Sequence, residues 1–124
     1  VAEETADELR AVLDNSPGAI ADEREGVLVY ANQRFARLFG YDSPAEVIGR
    51  HAGEFDAPED RATLMEYSRI REHGGDAPTS YAFRGLKRDG TIVPMEARIS
   101  TYRSLGRLHI QAFISEIEPG VGGR

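Results

Sequence analysis

The chain contains no cysteine and no tryptophan. Lack of cysteine removes disulfides, thiol nucleophiles, thiolate metal sites and cysteinyl cofactor adducts together, and it fits a reducing compartment. Apolar runs are only a few residues long, so no segment can cross a bilayer as a helix. No charged-then-apolar leader opens the sequence, and a cytoplasmic location is expected. Basic charge is in the minority: 15 Lys and Arg against 21 Asp and Glu leave a net charge of −6. No basic field exists to neutralise phosphates, which argues against a nucleic-acid partner. Histidine is sparse as well. His51, His73 and His109 lie far apart and have no helical partner three or four residues away, so no metal spacing exists. No serine stands in a G-x-S-x-G context. Asp22 and Glu23 are strand neighbours that point to opposite faces, and Glu59 and Asp60 are explained by the dipole of a helix that starts there. Catalysis is therefore not expected.

What is present is enough for one domain with one core. A chain of 124 residues is too short for two ordinary domains, and 40% hydrophobic with 29% charged residues is a globular composition. Thr5-Ala6-Asp7-Glu8 reads as a capping box, followed at helical spacing by Leu9, Val12 and Leu13, so residues 1–16 form an amphipathic helix that must dock on something. Ala19 to Asp22 and Val27 to Tyr30 read as strands around a Glu25-Gly26 turn. Asn32 occupies an N-cap position before a short helix, with Ala31, Phe35, Leu38 and Phe39 as its apolar side and Gly40 as its stop. Ser43-Pro44-Ala45-Glu46 is a second capping box. Ala57-Pro58-Glu59-Asp60 opens a longer helix with apolar members Leu64, Met65, Tyr67 and Ile70, ending by Gly74-Gly75. Thr79 to Leu86 alternates. Asp89-Gly90 reads as a hairpin turn with both residues at positive φ. Val93, Met95, Ala97 and Ile99 then alternate with polar neighbours, and Leu108, Ile110, Ala112 and Ile114 repeat the pattern after a turn near Leu105-Gly106. The expected fold is α+β, with helices on one face of an antiparallel sheet. Core residues 17–118 are followed by a linker or tail over 119–124, where Gly120-Val121-Gly122-Gly123 neither follows a strand cleanly nor opens a helix. The absence of an initial Met and the glycine-rich end read as a segment of a larger protein.

The run VLVYANQRFARLFGY from Val27 to Tyr41, together with DAPEDRA and KRDGTIVPMEARIS further on, resembles the PAS sensor family over roughly Leu9 to Glu118. The resemblance implies a five-stranded antiparallel sheet against short helices, with a cavity between them. Carried onto this chain, Phe35, Leu38 and Phe39 would line that cavity from the first core helix. Val47, Ile48 and Phe55 would come from the short helices and Leu64 from the long one. Tyr81, Phe83, Met95, Ala97, Ile99, Ala112 and Ile114 would come from the sheet, and His51 would sit at the mouth. Each position would serve equally well as ordinary core.

The same resemblance bears on cofactors. Flavin-adduct light sensors and coumaroyl photoreceptors attach their pigments through Cys, which this chain lacks. Haem-binding members place a proximal His on the long helix, and DRATLMEYSRIRE has none, with His73 at its frayed end. Non-covalent flavin, a small organic acid, an apolar metabolite or no ligand remain open. Many members end in Asp-Ile-Thr before an output helix. Here Glu116-Ile117-Glu118 is followed by Pro119-Gly120, which argues against a helix continuing directly. The outer sheet face offers Tyr102, His109, Gln111 and Phe113, and a homodimer is expected through Tyr102 and Phe113 with the Leu9/Val12/Leu13 stripe. The functional expectation is a non-catalytic sensor or dimerisation module of a signalling protein such as a histidine kinase, a cyclic-dinucleotide enzyme or a transcription regulator. The alternatives are a flavin- or haem-bearing redox, gas or light sensor, and a small α+β enzyme or carrier.

Overall fold

The computed structural model describes residues 18–117. The expected N-terminal helix with Leu9, Val12 and Leu13, and the 119–124 tail, lie outside the described residues. The order is β1 (Ala19–Arg24), β2 (Val27–Ala31), α1 (Gln33–Leu38), two 3₁₀ turns (Pro44–Glu46 and Ala52–Phe55), α2 (Pro58–Glu72), β3 (Ser80–Leu86), β4 (Ile92–Ser104) and β5 (Arg107–Glu116). The strands form one five-stranded sheet in the order β2-β1-β5-β4-β3, and every pairing is antiparallel. This is the α+β architecture that the sequence pattern implies. Among the described residues no helix is long and apolar enough to cross a membrane.

Two hairpins turn through two-residue loops in which both residues have positive φ: Glu25 (54°) with Gly26 (83°), and Leu105 (53°) with Gly106 (76°). That backbone matches the twist of the strands it joins. The Asp89-Gly90 hairpin differs from its expectation. Only Gly90 has positive φ, at 91°, and the loop has three residues, closed by Lys87 N–H to Thr91 O at 2.9 Å. Asp89 instead uses its side chain, accepting from the Thr91 amide at 2.9 Å, so the extra residue and the Asx bond replace a second left-handed position.

Asn32 joins β2 to α1. Its Oδ1 accepts from Phe35 N at 2.9 Å and from Ile20 N at 3.0 Å, and its Nδ2 donates to Gly18 O at 2.8 Å. One buried amide thus caps α1 and ties it to the start of β1. Fastened this way, α1 delivers Phe35 and Phe39 to the core. Their rings pack at 4.8 Å between centroids, and Phe55 meets them edge-on at 5.3 and 5.2 Å. Each buried phenyl contributes about 2 kcal/mol by leaving water.

The chain from Gly49 to Ala57 runs from one margin of the sheet to the other. Beside β2, Gly49 N donates to Leu28 O, Leu28 N to Arg50 O and Ala52 N to Gly26 O. Beside β3, Asp56 pairs with Gly85, and Ala57 N donates to Arg84 O at 2.8 Å.

Candidate functional site

α2 is anchored at separate points to the sheet and to the segment that precedes β3. In its first turn, Asp60 accepts from Arg84 N (2.7 Å), Nε (3.2 Å) and Nη2 (2.6 Å), and these bonds hold its carboxyl below the usual carboxylate range. Further along, the Ser68 hydroxyl donates to Glu23 Oε1 at 2.8 Å. In the last turn, the Arg71 guanidinium donates to Pro78 O and lies 5.9 Å from the Tyr67 ring centroid. Between these points the helix leaves a hollow. The only α2 residue that is buried outright is Arg71, while Met65, expected among the apolar members, is 59% exposed.

The resulting cavity measures about 1050 Å³. Phe35 and Phe39 line it from α1, Phe55 from the 3₁₀ turn and Leu64 from α2. Tyr81 and Phe83 enter from β3, Ala97 and Ile99 from β4, and Ala112 and Ile114 from β5. His51 also lines the cavity and is exposed, its backbone paired with Val27. Four other expected wall residues are placed elsewhere. Val47 and Met95 are fully buried in the core, and Leu38 packs against that core. Ile48 follows the first 3₁₀ turn and is 41% exposed. Met95 is diverted because Gly85, on the neighbouring strand, leaves room for its thioether: a Cβ at Gly85 would overlap Met95 Sδ and Cε.

Sequence reasoning missed the polar part of the wall. Glu23, Asp56, Arg61, Ser68 and Arg71 all line the cavity. Glu23 follows Ala19 and Ala21 on the inward face of β1, beside a bulge that leaves Val29 of β2 outside the pairing. Strand alternation separates it from Asp22, as expected, and turns Glu23 inward. Burial pushes the Glu23 carboxyl above the usual range, against the lowering effect of the Ser68 bond. Its Oε2 is buried without a hydrogen-bond partner. Asp56 is pushed up to about 7, chiefly by burial and then by repulsion from Glu23, with Arg61 opposing. Burial raises Tyr81 to about 12. The available signal was an acid at an inward strand position, and the α2 face Arg61–Leu64–Ser68–Arg71, whose spacing of three, four and three puts polar groups beside Leu64.

The opposite sheet face carries a second cluster. The Tyr102 hydroxyl donates to the buried Asp22 carboxylate, and His109 Nδ1 lies 3.1 Å from Asp22 Oδ1. The imidazole stacks on the Tyr102 ring at 4.7 Å. Burial, then the Asp22 bond, raises the Tyr102 phenol. Phe113 is 41% exposed on this face.

Of the three histidines only His51 lines the cavity, while His109 bonds Asp22 on the other sheet face. His73 caps the end of α2 with Nδ1 2.8 Å from Arg69 O, and His51 is exposed. No described group of His, Asp and Glu is arranged to hold a metal ion.

Solved structures share this architecture. A PAS domain of a two-component sensor histidine kinase superposes with a TM-score of 0.77 at 17% identity, covering 94% of this chain and 100% of its own. The PAS domain of an HTR-like protein from Haloarcula marismortui is 29% identical with a TM-score of 0.68, covering 93% of both chains. A LOV protein from Rhodobacter sphaeroides gives a TM-score of 0.77 at 16% identity, covering 97% of this chain and 71% of its own. No curated protein sequence matches the chain. The family model for the PAS fold matches residues 7–117, nearly the whole sequence, in agreement with the sheet order and the cavity under α2; the chain belongs to the PAS family.

Proposed function

We propose that the chain is a non-catalytic regulatory sensor module of a larger signalling protein, and that its cavity takes a small ligand non-covalently. The observation that carries this reading is the hollow of about 1050 Å³ left where α2 stands away from the sheet. Small domains ordinarily fill such space with side chains, because they need all the core they can bury. A ligand that binds one arrangement of α2 and sheet better than another shifts the population toward it, and the flanking segments carry that shift to an output domain. A histidine kinase is the favoured output, ahead of a cyclic-dinucleotide enzyme or a transcription regulator, because one structural relative comes from such a kinase. The test is a visible absorption spectrum of the purified protein, followed by mass spectrometry of the small molecules released on denaturation. A colourless protein releasing a stoichiometric metabolite supports the reading. A flavin or haem band would replace it with a cofactor-bearing sensor.

The module works as a homodimer through the outer sheet face around Tyr102 and Phe113, both more than two-fifths exposed. Phe113→Glu places a charge in the middle of that surface and should yield monomers on a sizing column, with secondary structure unchanged. A dimer that survives the substitution overturns this interface.

A further inference from the structure

The polar part of the cavity wall around Glu23 has a chemical preference that the cavity's size alone does not convey. Glu23 is 9% exposed, and one of its oxygens has no hydrogen-bond partner while Ser68 occupies the other. Such a group is costly to leave unmatched. Asp56 lines the same cavity, close enough for the two carboxyls to repel each other. Three arginines also line it, yet none forms an ion pair with these two acids; Arg69 is held by Glu66. Arg61 spends its guanidinium on Gly53 O at 2.8 Å and Asp56 O at 3.0 Å, and Arg71 spends its own on Pro78 O. Among the described residues no ion pair within 4.0 Å involves Glu23 or Asp56. Much of the remaining wall is apolar and includes the rings of Phe35, Phe39 and Phe55, and the faces of phenyl rings attract cations where water is excluded.

We infer that the cavity is built for a protonated amine with an apolar body, its ammonium group donating to Glu23 Oε2 and lying in the field of Asp56. One cation satisfies the orphaned oxygen and relieves the repulsion between the two acids; a neutral donor achieves only the first, and a carboxylate ligand worsens both. Burial supports the assignment, since it disfavours both carboxylates until a cation arrives. The inference rests on the ligand-sensing reading and names the ligand class for that site.

The experiment is calorimetric titration of the whole chain with three probes that share one ring: 2-phenylethylamine, 2-phenylethanol and 3-phenylpropionate. The amine should bind about tenfold or more tighter than either comparator, the size of one charge-assisted contact. Glu23→Gln should reduce that preference to a few-fold, and Asp56→Asn should weaken amine binding alone, with melting curves verifying that both variants fold. Equal affinity for the three probes, or preference for the acid, overturns the assignment. Absence of binding by all three at millimolar concentration overturns it too, and native mass spectrometry of the purified protein then separates the two failures. A retained neutral or acidic molecule leaves the sensor reading standing, whereas an empty protein removes both.

Discussion

Single side chains do unusual amounts of organisation here. Asn32 has its amide bonded to Phe35, Ile20 and Gly18, so it ties a cap, a strand and a helix at one point. Asn32→Ala would strand buried backbone donors that water cannot reach. The expected loss is about 3 kcal/mol, read as a fall of roughly 10 °C in melting temperature. A fall no larger than that of an exposed cap substitution would show that the amide is only a local cap. The N-cap role was legible from the sequence, because Asn before an apolar-periodic run is a helix-start signal. The bonds to Ile20 and Gly18 were not, since they depend on β1 lying beside β2. Glu23 is the sharper case. Alternation separates it from Asp22, but only the assembled sheet determines which of the two faces meets α2.

At the scale of elements, α2 is the one that departs most from its pattern. Its apolar members suggest a helix pressed onto the sheet, but it is held by polar fastenings at Asp60, Ser68 and Arg71. Helix periodicity reports which residues share a side; it does not report how far that side stands from its neighbour. This is why the position of α2 was legible while its stand-off was not. Hairpins show the same limit: Glu25-Gly26 and Leu105-Gly106 form two-residue turns, whereas Asp89-Gly90 needs a third residue. A mechanical prediction follows for α2. Asp60→Asn weakens the charge-assisted clamp to Arg84 but leaves the global core intact, so overall melting should change little. Hydrogen exchange over residues 58–66 should nevertheless accelerate about tenfold. Unchanged exchange would mean that the clamp contributes nothing to holding the helix start.

For the whole molecule, the buried acids set the response to pH. Asp56 has a folded value near 7 against an ordinary 3.8, with Glu23, Asp60 and Arg61 as its charged neighbours. An acid with a raised folded pKa holds its proton more tightly in the folded state. Its stabilising effect is complete below the unfolded value and is lost as pH rises toward 7. Glu23 is shifted in the same direction. The unfolding free energy from urea titrations should therefore fall between pH 5 and pH 8, by on the order of 3 kcal/mol from Asp56, and Asp56→Asn should flatten the profile. A free energy independent of pH in wild type would show that Asp56 is better hydrated than its surroundings suggest. The chain from Gly49 to Ala57 has a consequence of another kind. It supplies part of the cavity wall, and it also covers the outer margins of β2 and β3. Uncovered strand margins are templates for association with other chains. Any excursion of this segment that admits or releases an occupant also bares those margins, so an occupied cavity should protect the protein against aggregation at high concentration.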